Sequence, residues 1–570
     1  MAPLPTRPER PRFLGPFLLL STFAAAPLGA QGGGWDVGLE FSGQVSGSQL
    51  GASLAPAGDL DGDGVPDLLV GAPGAPSGPL ANAGLVLAFS GADGATLRTF
   101  AGTAFGQGFG TALDGGADLD GDGVPDLVVG MPADDPAGVP DAGAAEARSG
   151  ADGSVLWRVT GTETLQKLGT AVAFVGDVDG DGVADVLVGA PRSDVAAGAD
   201  GGSAFLHSGA NGSLIRRFDG SAAGARLGTS LVGLDDLDGD GVDDLALGAP
   251  GADGDRGRVL VVSGASGSQL LALDGLSRGD LFGEAMLAAS DLDGDGVGDL
   301  VVGAPHADPG GLYLAGMAAA HSGVTGTRLF LVAGAAPNDL LGSALAELGD
   351  LDGDGVHELA LGAPGADTST GAVHVVTGAN GTTLWTLTGG ATFDTFGDAL
   401  AALPDVLANG RDELVAGAPF ADPNGAGSAG LTQVLDFSDF LVADRDTVSA
   451  AAANPVVLDL DFPVAAGGDL YQVLYSLTPG VTSVLGLEVP LGADSWFWAS
   501  FSGDYGGVAN PWNLTGVLDA FGDAQGGFEV GPYPPSIVGH SAFLAAIAYP
   551  TVFGSGPGWS STAWTITVTP

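Results

Sequence analysis

The 570-residue chain contains no cysteine. That excludes a disulfide framework, a thiolate zinc site and a cysteine nucleophile. It has one lysine, Lys167, and 17 Lys+Arg against 68 Asp+Glu, a formal net charge of −51. So acidic a chain is no partner for nucleic acid, whose phosphates need cationic side chains. Its six histidines are scattered, with no His-Glu-x-x-His, the zinc-peptidase signature. Beyond residue 30 no run is apolar for the ~20 residues that cross a bilayer as a helix, so no membrane span is expected. No window long enough for a helix shows a 3.6-residue period. Glycine, in contrast, is abundant at 101 residues, with 35 prolines and a hydrophobic fraction of 45%. The glycines lack the three-residue period of collagen, and the apolar content suffices for a core. A turn-dense, all-β protein fits.

Residues 1–30 read as a secretory leader. Arg7, Arg10 and Arg12 precede an apolar stretch from Phe13 to Ala26, and Leu28-Gly29-Ala30 closes it with a small residue. Cleavage is expected after Ala30. The apolar run, about 14 residues, is too short to span a bilayer. A secreted or cell-surface (extracytoplasmic) location follows.

The remainder is dominated by one unit written seven times. Asp59-Leu60-Asp61-Gly62-Asp63-Gly64-Val65-Pro66-Asp67 runs into Leu68-Leu69-Val70-Gly71-Ala72-Pro73. Copies start at Asp118, Asp177, Asp236, Asp291 and Asp350, and a worn copy at Asp405, giving spacings of 59, 59, 59, 55, 59 and 55 residues. Each unit opens on a Leu-Gly or Phe-Gly pair, such as Phe109-Gly110 or Leu168-Gly169. Four short β-branched or aromatic runs follow, bounded by Gly, Asn, Asp and Pro, and read as four strands. Four strands repeated seven times give a seven-bladed β-propeller over residues 31–438. The last unit has only three strands. Leu39–Gly43 precedes the first unit and mimics Arg98–Gly102, so it is expected to supply the missing outer strand and close the ring. The alternative is an open solenoid.

The acidic loops place carboxylates at positions 1, 3, 5 and 9. In order, these are Asp59, Asp61, Asp63 and Asp67; Asp118, Asp120, Asp122 and Asp126; Asp177, Asp179, Asp181 and Asp185; Asp236, Asp238, Asp240 and Asp244; Asp291, Asp293, Asp295 and Asp299; and Asp350, Asp352, Asp354 and Glu358. Hard oxygen ligands at alternating positions around a glycine-permitted turn suit Ca²⁺, which takes 6–8 oxygens. Without a cation, four carboxylates in one small loop repel one another. Position 12 is apolar (Val70) and the flanks are strands, which separates this loop from an EF-hand. About six Ca²⁺ sites are expected. In the seventh loop, Asp405 to Glu413, Leu407 removes a ligand and Arg411 adds a positive charge, so no tight metal is expected there.

These residues resemble the FG-GAP repeat of the integrin α-subunit β-propeller. The resemblance rests on the Phe-Gly or Leu-Gly pair, the Asp-x-Asp-Gly-Asp-Gly-x-x-Asp loop and the Gly-Ala-Pro tripeptide, and covers about residues 35–437. It implies calcium loops on one face and ligand contacts on the opposite one. Carried over, the ligand-side loops include Pro132–Ala142, Pro250–Gly257, Pro305–Gly316, Pro364–Gly371 and Pro419–Ala429, with Ala-Asp steps at Asp134, Asp253, Asp308, Asp367 and Asp422. No inserted von Willebrand-type domain, stalk or cytoplasmic tail accompanies the repeats, which is similar to secreted bacterial relatives.

After Phe440 the repeat stops. Residues 444–570 hold five of the eight tryptophans and short β-rich runs, which read as a C-terminal β-sandwich. Gly275-Leu276-Ser277-Arg278-Gly279 fits the hydrolase-elbow pattern without its strand-to-helix setting, and the overlapping Arg278-Gly279-Asp280 resembles an integrin-ligand tripeptide. Both read as chance. The chain as a whole reads as a non-enzymatic, monomeric binding or adhesion protein with an extracellular protein or glycan partner. A propeller-scaffold enzyme on polysaccharide and a structural surface protein are the alternatives.

Overall fold

A computed structural model describes residues 36–437, and beyond them the strand backbones between Val442 and Thr569. The expected leader lies outside the described residues. Within the repeats, seven four-stranded antiparallel sheets form. The first blade comprises Ser53–Gly58, Asp67–Ala72, Leu85–Phe89 and Thr96–Ala101. The first strand of every blade packs against the first strands of both neighbours, in a circuit that returns from Ala399–Leu403 to Ser53–Gly58. The array is therefore a closed ring with the first strands innermost.

Closure uses the N-terminal strand, as the sequence indicated. Asp36–Ser42 pairs antiparallel with Leu431–Asp436, from Asp36 opposite Asp436 to Ser42 opposite Leu431. It becomes the outer strand of the seventh blade, whose other strands are Ala399–Leu403, Glu413–Ala418 and Leu431–Asp436. Phe41 anchors it, 2% exposed and stacked on Phe89 of the first blade at 4.1 Å between centroids. Burying such a ring stabilises by about 1.5–3 kcal/mol.

Second strands such as Asp67–Ala72 and Asp126–Met131 are buried at every position. Their side chains alternate between two blade junctions, as strand geometry requires. Leu68 and Val70 join the cluster shared with the seventh blade, and Leu69 the cluster shared with the second. One apolar cluster fills each junction, which is why these strands read as continuous apolar runs.

The Phe-Gly or Leu-Gly pair and the Gly-Ala-Pro tripeptide meet at those junctions. Leu50, Phe109, Leu168, Leu227, Phe282, Leu341 and Phe396 are all buried. Gly169 shows why glycine follows. Its φ is +85°, and a Cβ there would come within 2.2 Å of the Ala144 carbonyl oxygen of the preceding blade. Its N–H donates to Gly189 of its own blade at 2.8 Å. Gly189 in turn lies against the Gly228 carbonyl of the next blade, where a Cβ would sit at 2.1 Å. Backbone thus abuts backbone around the ring, and only glycine fits.

The two 55-residue spacings also have a structural cause. The loops Pro250–Gly257 and Pro364–Gly371 are four residues shorter than Pro191–Gly202, 8 against 12. Each shortened loop closes in a tight turn, Ala252–Asp255 and Ala366–Ser369, whose last three residues have left-handed φ of +46° to +70°.

Beyond residue 437 the described residues are all in strands. Val442–Ala443, Pro455–Leu460 and Ala524–Glu529 form one sheet. Thr447–Ser449, Trp564–Thr569, Ser541–Tyr549, Leu470–Ser476 and Thr515–Val517 form a second, with Trp559–Ser560 attached. No helix among the described residues is long and apolar enough to cross a membrane.

Candidate metal centre

Each acidic loop joins the first strand of a blade to the second. Because the strands are antiparallel, these loops share one end of the ring with the hairpins between third and fourth strands. The loops between second and third strands, and those between blades, occupy the other end.

The first loop shows how the backbone holds its acids. Asp59 Oδ1 accepts the N–H groups of Gly62 at 2.7 Å and Asp63 at 3.1 Å, and its Oδ2 accepts that of Gly64 at 2.9 Å. Asp61 Oδ1 accepts from Asp63 at 3.2 Å, and Asp63 Oδ1 from Val65 at 2.8 Å. Gly62 and Gly64 have φ of +80° and +91°, the left-handed region open to glycine. The position-1 contacts with the two glycines recur from Asp118, Asp177, Asp236, Asp291 and Asp350.

Carboxylate oxygens converge as a result. They lie within 4.8 Å of one another in the sets Asp59–Asp61–Asp67, Asp118–Asp120–Asp122, Asp177–Asp179–Asp185, Asp236–Asp238–Asp244 and Asp350–Asp352–Asp354–Glu358, and in one further group. None of the six loops holds Lys or Arg. The donor set is carboxylate oxygen throughout, which fits a hard cation and offers no soft ligand.

Position 9 has a second task that sequence reasoning missed. Asp67 is fully buried. Its Oδ2 accepts the Leu60 N–H at 2.7 Å, and its Oδ1 accepts that of Gly91, after the third strand, at 3.1 Å. Asp126, Asp185, Asp244 and Asp299 make the same pair of contacts, to Leu119 and Gly150, Val178 and Gly209, Leu237 and Gly264, and Leu292 and Gly323. The ninth carboxylate therefore ties its loop to the neighbouring hairpin. Burial pushes Asp67 and Asp185 up to about 6, although two backbone N–H groups on Asp67 and three on Asp185 pull the other way. The signal was a Ser-Gly step beyond position 9, 23 and 24 residues on for Asp67, Asp126, Asp185 and Asp299 and 19 and 20 on for Asp244, whose blade has the shortened loop.

The seventh loop keeps the corner by other means. Asp405 Oδ1 still accepts a backbone N–H, from Gly410 at 2.8 Å. Asn409 Nδ2, however, donates to Asp436 at 2.6 Å, and Arg411 Nη1 to the Phe437 carbonyl at 2.6 Å. Leu407 joins the apolar cluster between the seventh and first blades and lies over Gly38 of the closing strand.

At the opposite end, most of the Ala-Asp carboxylates brace the protein itself. Asp308 Oδ1 accepts the Leu314 N–H at 2.6 Å and Asp422 Oδ1 that of Ser428 at 2.5 Å. Asp253 pairs with Arg256 and Arg278, each at 3.2 Å. Asp134 is buried in an ion-pair network with Arg158 at 2.6 Å, and Glu146 bonds both Arg158 and Arg148. Glu146 and Arg158 are cross-strand partners, a pairing visible only once the register is known. The exposed aromatics Phe105, Tyr313, Phe393 and Phe420 all sit in loops at this end. In the tripeptide Arg278-Gly279-Asp280, Asp280 is 5% exposed and accepts the Ser277 N–H, so its carboxylate turns inward.

Comparison with known proteins agrees with this geometry. The FG-GAP repeat family matches residues 50–89, 168–207, 227–262, 282–319 and 344–376. The unmatched second blade reads Gly130-Met131-Pro132 in place of Gly-Ala-Pro, and the unmatched seventh carries the altered loop. The chain is 32% identical over 214 residues to integrin alpha-V of Gallus gallus, covering 35% of this chain and 20% of that one. It is 31% identical over 256 residues to integrin alpha-PS2 of Drosophila melanogaster, covering 41% and 17%. It is 36% identical over 179 residues to integrin alpha-IIb of Homo sapiens, covering 28% and 17%. The matches thus span a fifth or less of these integrin chains.

Proposed function

From the premise that the chain is built on an FG-GAP, integrin α-like β-propeller, we propose that it is a calcium-dependent extracytoplasmic binding or adhesion module without catalytic activity. The observation that carries this reading is the division of the ring into two ends. One end gathers the convergent carboxylates, and the other presents loops with exposed aromatics.

Calcium would be held by the acids at positions 1, 3, 5 and 9 of the first six loops, Asp59 to Asp67 through Asp350 to Glu358. When bound, the ion neutralises their mutual repulsion and cross-braces the first two strands. Through the buried ninth carboxylate it also steadies the following hairpin. A site at 100 times its Kd stabilises by about 2.7 kcal/mol. Extracellular calcium modules often bind at about 10⁻⁴–10⁻³ M, so such sites fill outside the cell and stay empty inside. Within a cysteine-free chain they take the stapling role of disulfides.

The partner, an extracellular protein or glycan, would meet the loop end, where Phe105, Tyr313, Phe393 and Phe420 offer apolar contact. We assign residues 1–30 to a secretory leader, 31–438 to the propeller and 444–570 to a separate β-sandwich module, with the mature chain a monomer.

Two measurements test the reading. Native mass spectrometry of residues 31–570 should count about six calcium ions that EDTA removes. A glycan array and a panel of immobilised extracellular proteins should give ligands whose binding is lost in Phe393→Ser and Phe420→Ser at unchanged melting temperature. Binding that survives both substitutions would sink the assignment of the loop end, and a chain without ions would sink the calcium assignment.

A further inference from the structure

The sixth loop differs from the other five at one atom. In the loops that end in aspartate, both oxygens of the ninth carboxylate are engaged by backbone N–H groups. Asp185, for example, accepts from Val178 at 2.9 Å and from Gly209 at 3.1 Å. Glu358 carries one more methylene. Its Oε2 accepts the Leu351 N–H, but its Oε1 is buried with no hydrogen-bond partner. The residue is 0% exposed. Its carboxylate also lies within 4.8 Å of oxygens of Asp350, Asp352 and Asp354, so four acids converge where the other named sets bring three.

We propose that Glu358 makes the sixth loop a cation site of a different class from the other five, holding calcium with four carboxylates and emptying last. An unpaired buried carboxylate oxygen is costly, and a cation held by the Glu358 carboxylate offsets that cost. In the first loop the equivalent oxygen of Asp67 is already held by Gly91, so less is gained there. Ligand charge count is one of the quantities that sets calcium affinity. Glu413, at position 9 of the seventh loop, has the same orphan oxygen. It is the control, because Leu407 and Asn409 stand at two of that loop's ligand positions.

The inference rests on the calcium reading above, and the test separates the two. The full mature chain is titrated with calcium buffered from about 10⁻⁸ to 10⁻³ M, and ions are counted by native mass spectrometry. One ion should bind at a free calcium roughly tenfold or more below the other five. Glu358→Asp should merge that ion with the rest, and Glu358→Gln should make it the weakest. Asp67→Glu, which writes the sixth pattern into the first loop, should create a second tight ion. Glu413→Asp should change nothing. Six ions of a single class in the unaltered chain overturn this inference and leave the calcium reading intact, even if every Glu358 variant fails to fold. A tight ion that persists in both Glu358 variants also overturns it. Binding of no ion removes both readings.

Discussion

Loops one to six and loop seven occupy the same corner of their respective blades, yet they secure it differently. The first six crowd carboxylates together, with no Lys or Arg in the loop to neutralise them. The seventh uses the protein's own groups. Asn409 and Arg411 bond the end of the third strand, and Leu407 packs into the junction with the first blade. That blade is also the one completed by the N-terminal strand. Phe437 stands there where the other blades have glycine, buried against Trp385 at 5.4 Å between centroids. The contrast teaches that the seam of the ring is held by apolar packing and internal hydrogen bonds, while the repeating corners gather acids that no basic residue of their own loops offsets.

The sharpest way to break this contrast is to delete residues 36–42. The seventh blade then loses its outer strand and Phe41, and its third strand becomes an open edge. Cooperative unfolding should be lost whatever the calcium concentration, and a single sharp calorimetric transition in the truncated chain would refute the seam's role. Next in size is chelation. EDTA should lower the melting temperature of the intact chain by the summed contribution of about six sites, each roughly 2.7 kcal/mol at 100 times its Kd. Leu407→Ala should cost about 2 kcal/mol by the usual scale of truncation at packed sites. That loss should be equal with and without calcium, and a calcium-dependent loss would place a cation at the seventh loop after all.

A smaller effect concerns pH. Burial pushes Glu413 up to about 7 from an ordinary 4.5. A carboxyl whose folded pKa is raised contributes stability that is complete below about pH 4.5 and is lost as pH rises through about 7. In EDTA, the melting temperature of the unaltered chain should therefore fall more steeply between pH 4.5 and 8 than that of Glu413→Gln. Burial lowers the pKa of His207 and His321, which pulls the other way, so only the difference between the two chains is diagnostic. Parallel curves would show that Glu413 carries no such linkage.

Much of this was legible beforehand because the signals were local and repeated. The alternation of Asp59, Asp61 and Asp63 around two glycines states its own turn, and seven copies of a four-strand unit leave few architectures. Even the closing strand could be read, because Leu39–Gly43 imitates the fourth strand of a blade. What escaped is non-local. The contact from Asp67 to Gly91 depends on a hairpin meeting a loop across the blade, and Glu146 opposite Arg158 depends on strand register. The reason glycine recurs in both short motifs is invisible until Gly169 and Gly189 are seen pressed against neighbouring carbonyls. The orphan oxygen of Glu358 is subtler still, since one methylene separates it from its five aspartate counterparts.

The pairing of Asp36 with Asp436 also has a mechanical side. The chain enters and leaves the ring on adjacent antiparallel strands, at the end that bears the acidic loops. Tension applied through the flanking segments therefore loads the closing strand from one end only. Its ladder opens one hydrogen-bonded pair at a time, as a zipper does, and does not shear all its bonds together. Under pull, the first element to yield would be Asp36–Ser42, with three strands of the seventh blade and six whole blades left behind it.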